Sequence, residues 1–326
     1  MTRATVLIVG CGDIGWRHVQ AAAGVPSIGR IVVVEPRQTR RNDILGLAGE
    51  LSEVEVDVVS GLDDAESAIN GNGIGCAIAA VTADRQPEVV EGIAAMAPRA
   101  VLVEKPAAQS PEALESIIAT YSGAISEKRI YVNCVRNLFE GWRRLRDGLA
   151  ERPGPFHMLV TGEGWGYGCN SVHLVEAFRF AAGAESIACT AAIIEAAPEF
   201  SRRGPEFEEF VGSATFRVPH GDTLTLVCGG DGFGPGPIRI TVRDKESGAP
   251  VFVLEENEGT LHDLVHDVEH PIGSLPVSES TGVFLQKLLA DASDCGLPRL
   301  REAAPSHRAV YDSLAKGTGR SQFMIT

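Results

Sequence analysis

The stretch Val6-Leu7-Ile8-Val9-Gly10-Cys11-Gly12-Asp13-Ile14-Gly15 runs an apolar β-type segment into three glycines spaced G-x-G-x-x-G. Gly10 suits a tight strand-to-helix turn, Gly12 lets a pyrophosphate approach the backbone, and Gly15 lets the next helix pack close to the sheet. Cys11, Asp13 and Ile14 complete this candidate nucleotide-binding turn. The following segment, Trp16–Ala23, is helix-compatible and would aim its free N–H groups at the phosphates.

Spacing alone is a weak signal, because in a chain with 36 glycines among 326 residues it arises by chance roughly 0.4 times. Context strengthens it. A second apolar run, Ile31-Val32-Val33-Val34, ends in Glu35, about 20 residues past Gly15, where the dinucleotide fingerprint places an acidic residue on the adenosine ribose. The Glu35 carboxylate would repel the 2′-phosphate of NADP, whereas Arg37, Arg40 and Arg41 could attract one or form a solvated helix start. NAD is the expected cofactor, with NADP as the alternative.

The chain is long enough for two domains. Its 43 acidic and 29 basic residues give a net charge of −14, which repels nucleic acid and anionic membranes. A strand signal begins almost at once and no apolar run approaches the length of a membrane span, so a cytoplasmic protein is expected. Seven scattered cysteines without a C-x-x-C pair suggest neither a disulfide framework nor a zinc site, but small core residues.

Strand and helix signals then alternate as in a doubly wound parallel sheet. Strands are expected at Val54–Val59, Cys76–Val81 and Ala100–Val103, and helices near Asp63–Asn70, Pro87–Met96 and after Ser110-Pro111. The strand before Glu104-Lys105-Pro106 would deliver Lys105 to the ligand crevice at the carboxyl edge of the sheet. Beyond residue 124 come a helix at Glu140–Ala150 and strands at Phe156–Glu163, Ile187–Glu195, Phe210–Val218, Thr223–Cys228, Ile238–Arg243 and Val251–Glu255. Turn signals at Pro219–Asp222 and Gly229–Gly232 argue a mostly antiparallel sheet. The expected division is a Rossmann domain over residues 1–124 and an α+β substrate-binding and oligomerisation domain over 125–326.

Within the second part, Gly164-Trp165-Gly166-Tyr167-Gly168 sets two aromatics among glycines, suited to line a cleft against a sugar ring or to pack on a neighbour. Phe139 and Trp142 read as core. His262, His266 and His270 recur every four residues and would share one face of a solvated helix. No pattern joins them to further ligands, and no metal is expected.

The glycine motif, Glu35 and Glu104-Lys105-Pro106 together resemble the glucose–fructose oxidoreductase/inositol dehydrogenase (Gfo/Idh/MocA) family. The resemblance continues through Tyr131–Arg136, through Gly168-Cys169-Asn170-Ser171-Val172-His173-Leu174-Val175-Glu176, which looks like the family's histidine-bearing helix, and through Gly296–Pro298, Glu302 and Ser306-His307. It implies an NAD(P)-dependent oxidoreductase acting on a sugar, sugar derivative or polyol. Lys105 is the first candidate base, His173 the second. Thr82 and Glu104 would border the nucleotide, and Asn133, Arg136, Trp165 and Asn170 would bind or orient the substrate. Glu176 would be a supporting group. The resemblance also implies a homodimer or tetramer built on the open face of the second sheet.

Two departures are visible. Cys169 stands four residues before His173, where many members carry an aspartate, and Thr82–Pro87 lacks the histidine many members have in that loop. Two other readings follow: a non-catalytic nucleotide-binding regulator of the same fold, and an NAD-dependent glycoside hydrolase.

Overall fold

Val6, Leu7 and Ile8 and Ile31, Val32 and Val33 are wholly buried, as uninterrupted apolar runs require when a strand is covered on both faces. Each such side chain contributes roughly 1.5–3 kcal/mol of burial free energy. The structure is a computed structural model and describes residues 3–326 except 52, 70, 72, 125–128, 153, 196–198, 202, 203 and 231–237.

The chain begins as β1 (Ala4–Val9), α1 (Asp13–Ala23), β2 (Ile28–Val34), α2 (Gln38–Ala48), β3 (Glu55–Val59), α3 (Leu62–Ile69), β4 (Ile74–Ala79), α4 (Gln86–Ala95), β5 (Val101–Val103), α5 (Pro111–Ala124) and β6 (Ile130–Val132). It continues as α6 (Glu140–Ala150), β7 (Phe156–Glu163), α7 (Tyr167–Ala181), β8 (Ala188–Ile194), β9 (Glu199–Ser201), β10 (Gly204–Glu209), β11 (Gly212–Arg217), β12 (Thr223–Gly229), β13 (Arg239–Asp244) and β14 (Pro250–Glu255). It closes with β15 (Thr260–Asp263), β16 (Val268–Pro271), α8 (Val277–Leu289) and α9 (Leu300–Thr318).

Two compact units result. One comprises Met1–Ala108, Glu112–Asn133 and Leu275–Arg301; the other comprises Gln109–Pro111, Cys134–Ser274 and Glu302–Thr326. The break expected after residue 124 thus falls at Asn133/Cys134, because β6 still pairs with β5. Residue 125 itself lies outside the described residues. Residues 275–301 rejoin the first unit, where α8 packs against α1, the Phe284 ring meets Tyr131 edge-on at 5.0 Å, and Asp291 pairs with Arg99.

In the first unit all six strands are parallel, in the order β3-β2-β1-β4-β5-β6. This is the expected doubly wound sheet, and its strand order reverses between β1 and β4. In the second unit eight strands run β16-β15-β14-β13-β7-β12-β11-β8, antiparallel except where β12 lies alongside β7. Leu224, Leu226 and Cys228 of β12 are buried while Thr223, Thr225 and Val227 between them are not. Period-2 alternation of this kind means one face is covered and the other open. The short β9–β10 hairpin gives no alternating pattern long enough to read. The turn expected at Gly229–Gly232 runs into residues outside those described.

The histidine triplet corrects the sequence reading. Residues 260–271 form an antiparallel hairpin rather than a helix, with His262 opposite Glu269 and His270 opposite Leu261. The Asp263 carboxylate accepts the N–H groups of Val265 and His266 and bonds the His266 ring, and Asp267 turns the chain at φ +54°. A side chain capping the turn outcompetes a helical repeat. No helix of the described residues is long and apolar enough to cross a membrane, and all seven cysteines are free thiols.

Because Phe284 is completely buried, Phe284→Ala should cost about 3–5 kcal/mol. Urea unfolding of the purified variant checks this, and an unchanged midpoint would remove residues 275–301 from the first unit's core.

Candidate functional site

The parallel register sets the first residue beyond each strand into one row across the carboxyl edge of the sheet. Glu35 N–H donates to Val59 O (3.0 Å), Gly10 to Val34 O (2.9 Å), Ala80 to Val9 O (2.8 Å), Glu104 to Ala79 O (3.1 Å) and Asn133 to Val103 O (2.9 Å). Glu35, Gly10 and Glu104 therefore stand in fixed order on one edge. Three strand spacings, roughly 14 Å, separate β2 from β5. That edge, at the reversal of strand order, is where open α/β sheets bind ligands.

The glycines divide their duties. Gly10 has φ +86°, and a Cβ there would lie 2.6 Å from Ala80 O. At Gly15 a Cβ would lie 2.1 Å from Gly10 O, so this glycine is required by packing. At Gly12 a Cβ would meet nothing within 4 Å: the protein leaves open the space the phosphates would fill, ahead of the N-terminus of α1. Asp13 and Ile14 form the first turn of that helix. Burial pushes the Cys11 thiol up to about 12, so it stays protonated.

Glu35 is almost wholly buried. Its Oε2 accepts from Cys11 N–H (3.2 Å) and Arg37 Nη2 (3.1 Å), and its Oε1 from the N–H (3.1 Å) and Nε (2.8 Å) of Arg37. Burial opposes the charge, but hydrogen bonds from Arg37 and Cys11 outweigh it and hold Glu35 below the usual carboxylate range. Four donors fill the four lone-pair positions of a carboxylate, and the exposed Arg37 side chain supplies two of them. Arg40 Nε donates to Cys11 O (2.8 Å) and Arg41 Nη1 to Glu35 O (2.9 Å). These two arginines brace the turn's carbonyls.

Glu104, at the end of β5, is buried and accepts from His18 Nε2 (2.9 Å) and Asn133 Nδ2 (2.5 Å) on Oε1, and from the Lys105 N–H (3.3 Å) on Oε2. Burial works against its ionisation, yet His18, the Lys105 ammonium and the Asn133 amide prevail and hold it below the ordinary range. Gln86 opens α4 just past the loop that carries Thr82, and its amide donates to Ala79 O (3.2 Å). His18 escaped the sequence reading. The available signal was a titratable residue sharing a helix face with Gly15, Val19 and Ala22, all four buried.

The second unit holds the remaining candidates. His173 lies on α7, whose N-terminus is capped by Glu209: its carboxylate accepts from Gly168 N–H (2.8 Å) and Cys169 N–H (3.1 Å). Asn170 Nδ2 donates to Trp165 O (2.5 Å), closing the turn into α7. Trp165 and Tyr167 are buried rather than lining an open cleft, with the Trp165 indole N–H on Val227 O (3.2 Å) and the Tyr167 hydroxyl on Ser313 (2.8 Å). Arg136 is engaged by Glu256 through two bonds of 2.6 Å, which commits its guanidinium to the protein. Glu176 is buried and held by Arg179 and by the Ser306 hydroxyl (2.6 Å). Phe139 and Trp142 are core, as expected.

Residues 4–127 match the family model described as oxidoreductase family, NAD-binding Rossmann fold. No curated protein matches the chain by sequence. Among solved structures, a myo-inositol dehydrogenase from Corynebacterium glutamicum aligns with TM-score 0.69 at 13% identity, covering 99% of both chains. A levoglucosan dehydrogenase bound to NADH and levoglucosan gives 0.71 at 14% identity, again over 99% of both. A biliverdin reductase from Synechocystis, bound to biliverdin and NADP+, gives 0.71 at 13%, over 97% of this chain and 99% of its own. At such identities the likeness is one of fold.

The open space at Gly12 predicts that Gly12→Ala keeps the melting temperature but weakens NADH at least about tenfold, whereas Gly15→Ala costs about 1–3 kcal/mol of stability. NADH fluorescence titration and thermal melts separate the two. The carboxylates give a pH prediction. Folded values below the unfolded value of about 4.3 mean that their stabilisation is complete above it and is lost as pH falls through the lowered folded values. Wild-type melting temperature should therefore drop below about pH 4.3, and Glu104→Gln should be less stable at pH 7 with a shallower acid decline.

Proposed function

Because its nucleotide-binding unit belongs to the Gfo/Idh/MocA oxidoreductase family, we propose that this chain is an NAD-dependent dehydrogenase of sugars, sugar derivatives or polyols. The observation that carries the reading is the row at the sheet edge, with Glu35 at one end, the open glycine turn in the middle and Glu104-Lys105 three strands from Glu35. The myo-inositol dehydrogenase and the levoglucosan dehydrogenase among the structural neighbours support the substrate class. The biliverdin reductase neighbour shows that the same fold serves another.

Gly10, Gly12 and Gly15 hold the pyrophosphate against the start of α1, with Cys11, Asp13 and Ile14 in the same turn. Glu35 takes the adenosine ribose once Arg37 swings away, and its charge disfavours a 2′-phosphate. The displaced Arg37 is the group that would let NADP bind more weakly in the same place. Thr82 borders the nucleotide beyond β4. NAD held at this edge by the glycine turn and Glu35 would supply the hydride acceptor for the carbinol carbon. Lys105, after its ammonium has given a proton to solvent, takes the hydroxyl proton on its neutral amine as the carbonyl forms, and the resulting ammonium returns it in the reverse direction. His173 shares that proton or holds the substrate hydroxyl. Arg136, Asn170 and Trp165, whose polar groups have partners within their own unit, shape the surroundings.

The open face of the eight-stranded sheet, where Ile193 is 79% exposed, is the surface on which we place a second copy of the chain. The protein is assigned to the cytosol.

Lys105→Ala should retain NADH affinity while turnover falls at least about a hundredfold, the scale of general acid–base catalysis. The assay incubates the protein and NAD with a panel of sugars, sugar acids and inositols. Net NADH supports the dehydrogenase. Product release without net NADH would mean glycoside hydrolysis, and neither would leave a nucleotide-binding regulator, the reading favoured by Cys169 in the aspartate position. Sedimentation of the native protein as a single chain would remove the oligomer.

A further inference from the structure

One buried histidine, His18, has no part in the chemistry above. His18 is completely buried in the second turn of α1, the helix whose first turn faces the phosphates. Its ring is fixed at both nitrogens: Nε2 lies 2.9 Å from Glu104 Oε1 and Nδ1 lies 2.9 Å from the Thr281 hydroxyl. Thr281, on α8, is also completely buried. The same Glu104 carboxylate accepts the backbone N–H of Lys105 and the Asn133 amide. A continuous polar chain thus links α8, the phosphate-facing helix and the backbone of the residue that meets the substrate. All its members belong to one unit.

A side chain that served packing alone would be apolar here, since an unpaired buried imidazole or carboxylate is costly and a paired one gives little net stability. What the arrangement supplies is direction. With Oε1 held by His18 and Asn133, Oε2 is left facing the Lys105 N–H, which sets the course of the main chain as it leaves β5 and hence the direction in which the lysine departs. Because the donor to Oε1 rides on α1, the adenosine-phosphate end and the nicotinamide end of the site share one rigid element.

We infer that His18 is a positioning residue: through Glu104 it fixes Lys105 at the nicotinamide end of the bound dinucleotide, and Thr281 locks its ring for that task. This rests on the reading of Lys105 given above.

The test compares NADH with ADP-ribose, which lacks the nicotinamide, by calorimetric titration of the full chain. The wild type should prefer NADH. His18→Asn keeps a partner for Thr281 but does not reach Glu104; it should lose about tenfold or more in NADH affinity, the scale of one hydrogen bond to a charged group, while ADP-ribose affinity stays within about threefold. His18→Gln places an amide N–H near the former Nε2 and should restore most of the NADH preference. A merely structural histidine would weaken both ligands together, or neither, and Gln would not rescue selectively; either result overturns the inference. Should His18→Asn fail to fold, Thr281→Val decides: selective loss of NADH affinity supports the inference, and an unchanged NADH to ADP-ribose ratio overturns it. A wild type that binds both ligands equally would instead overturn the placement of the nicotinamide beside Lys105.

Discussion

The structure depends above all on the parallel register of the first unit's sheet. Val34 with Val59, Val9 with Val34, Val9 with Ala79, Ala79 with Val103 and Val103 with Val132 are paired positions. Each strand therefore ends level with its neighbours. A slip of one residue in any of them would exchange its two faces and move its terminal group off the edge. The apolar runs of β1, β2, β4, β5 and β6 oppose this, because Val9, Val34, Ala79, Val103 and Val132 at their ends are buried, whereas β3 at the sheet's edge has no buried residue. Site geometry here is a by-product of core packing.

On that edge two carboxylates are held charged in surroundings that oppose charge. They are compensated differently. Glu35 is satisfied by an exposed guanidinium and two main-chain N–H groups, so one of its partners stands in contact with solvent. Glu104 is satisfied by a rigid imidazole, an amide and the chain itself, none of which can leave. The first arrangement leaves room for exchange with solvent and the second does not.

The sequence disclosed those parts of the molecule whose cause is local. Uninterrupted β-branched runs, a glycine turn and an acidic residue at a set distance are consequences of a single βαβ unit, and Glu104-Lys105-Pro106 is legible because it ends a strand of the same sheet. Features made by distant residues were not readable. Nothing near Arg136 announces Glu256, and nothing near Trp165 announces Val227; both side chains looked available for a substrate until their partners were seen. The four-residue histidine repeat misled because Asp263 and Asp267 bend the chain between strands too short to show alternation. His18 was hidden for another reason: it is a polar residue at a position that helical periodicity reserves for the core, and its partners come from β5, 86 residues away, and α8, 263 residues away.

The return of residues 275–301 to the first unit has a bearing on how the protein is made. A ribosome delivers β1 to β6 long before α8, so the emerging sheet must wait, with one side of α1 uncovered and His18 lacking its threonine, until the intervening segment has been synthesised. That segment forms most of the second unit, yet it too is incomplete without α9. The first unit is complete only once residues 275–301 have been added and the second only once α9 has followed, so no single cut in the coding sequence would free either as an independent fold.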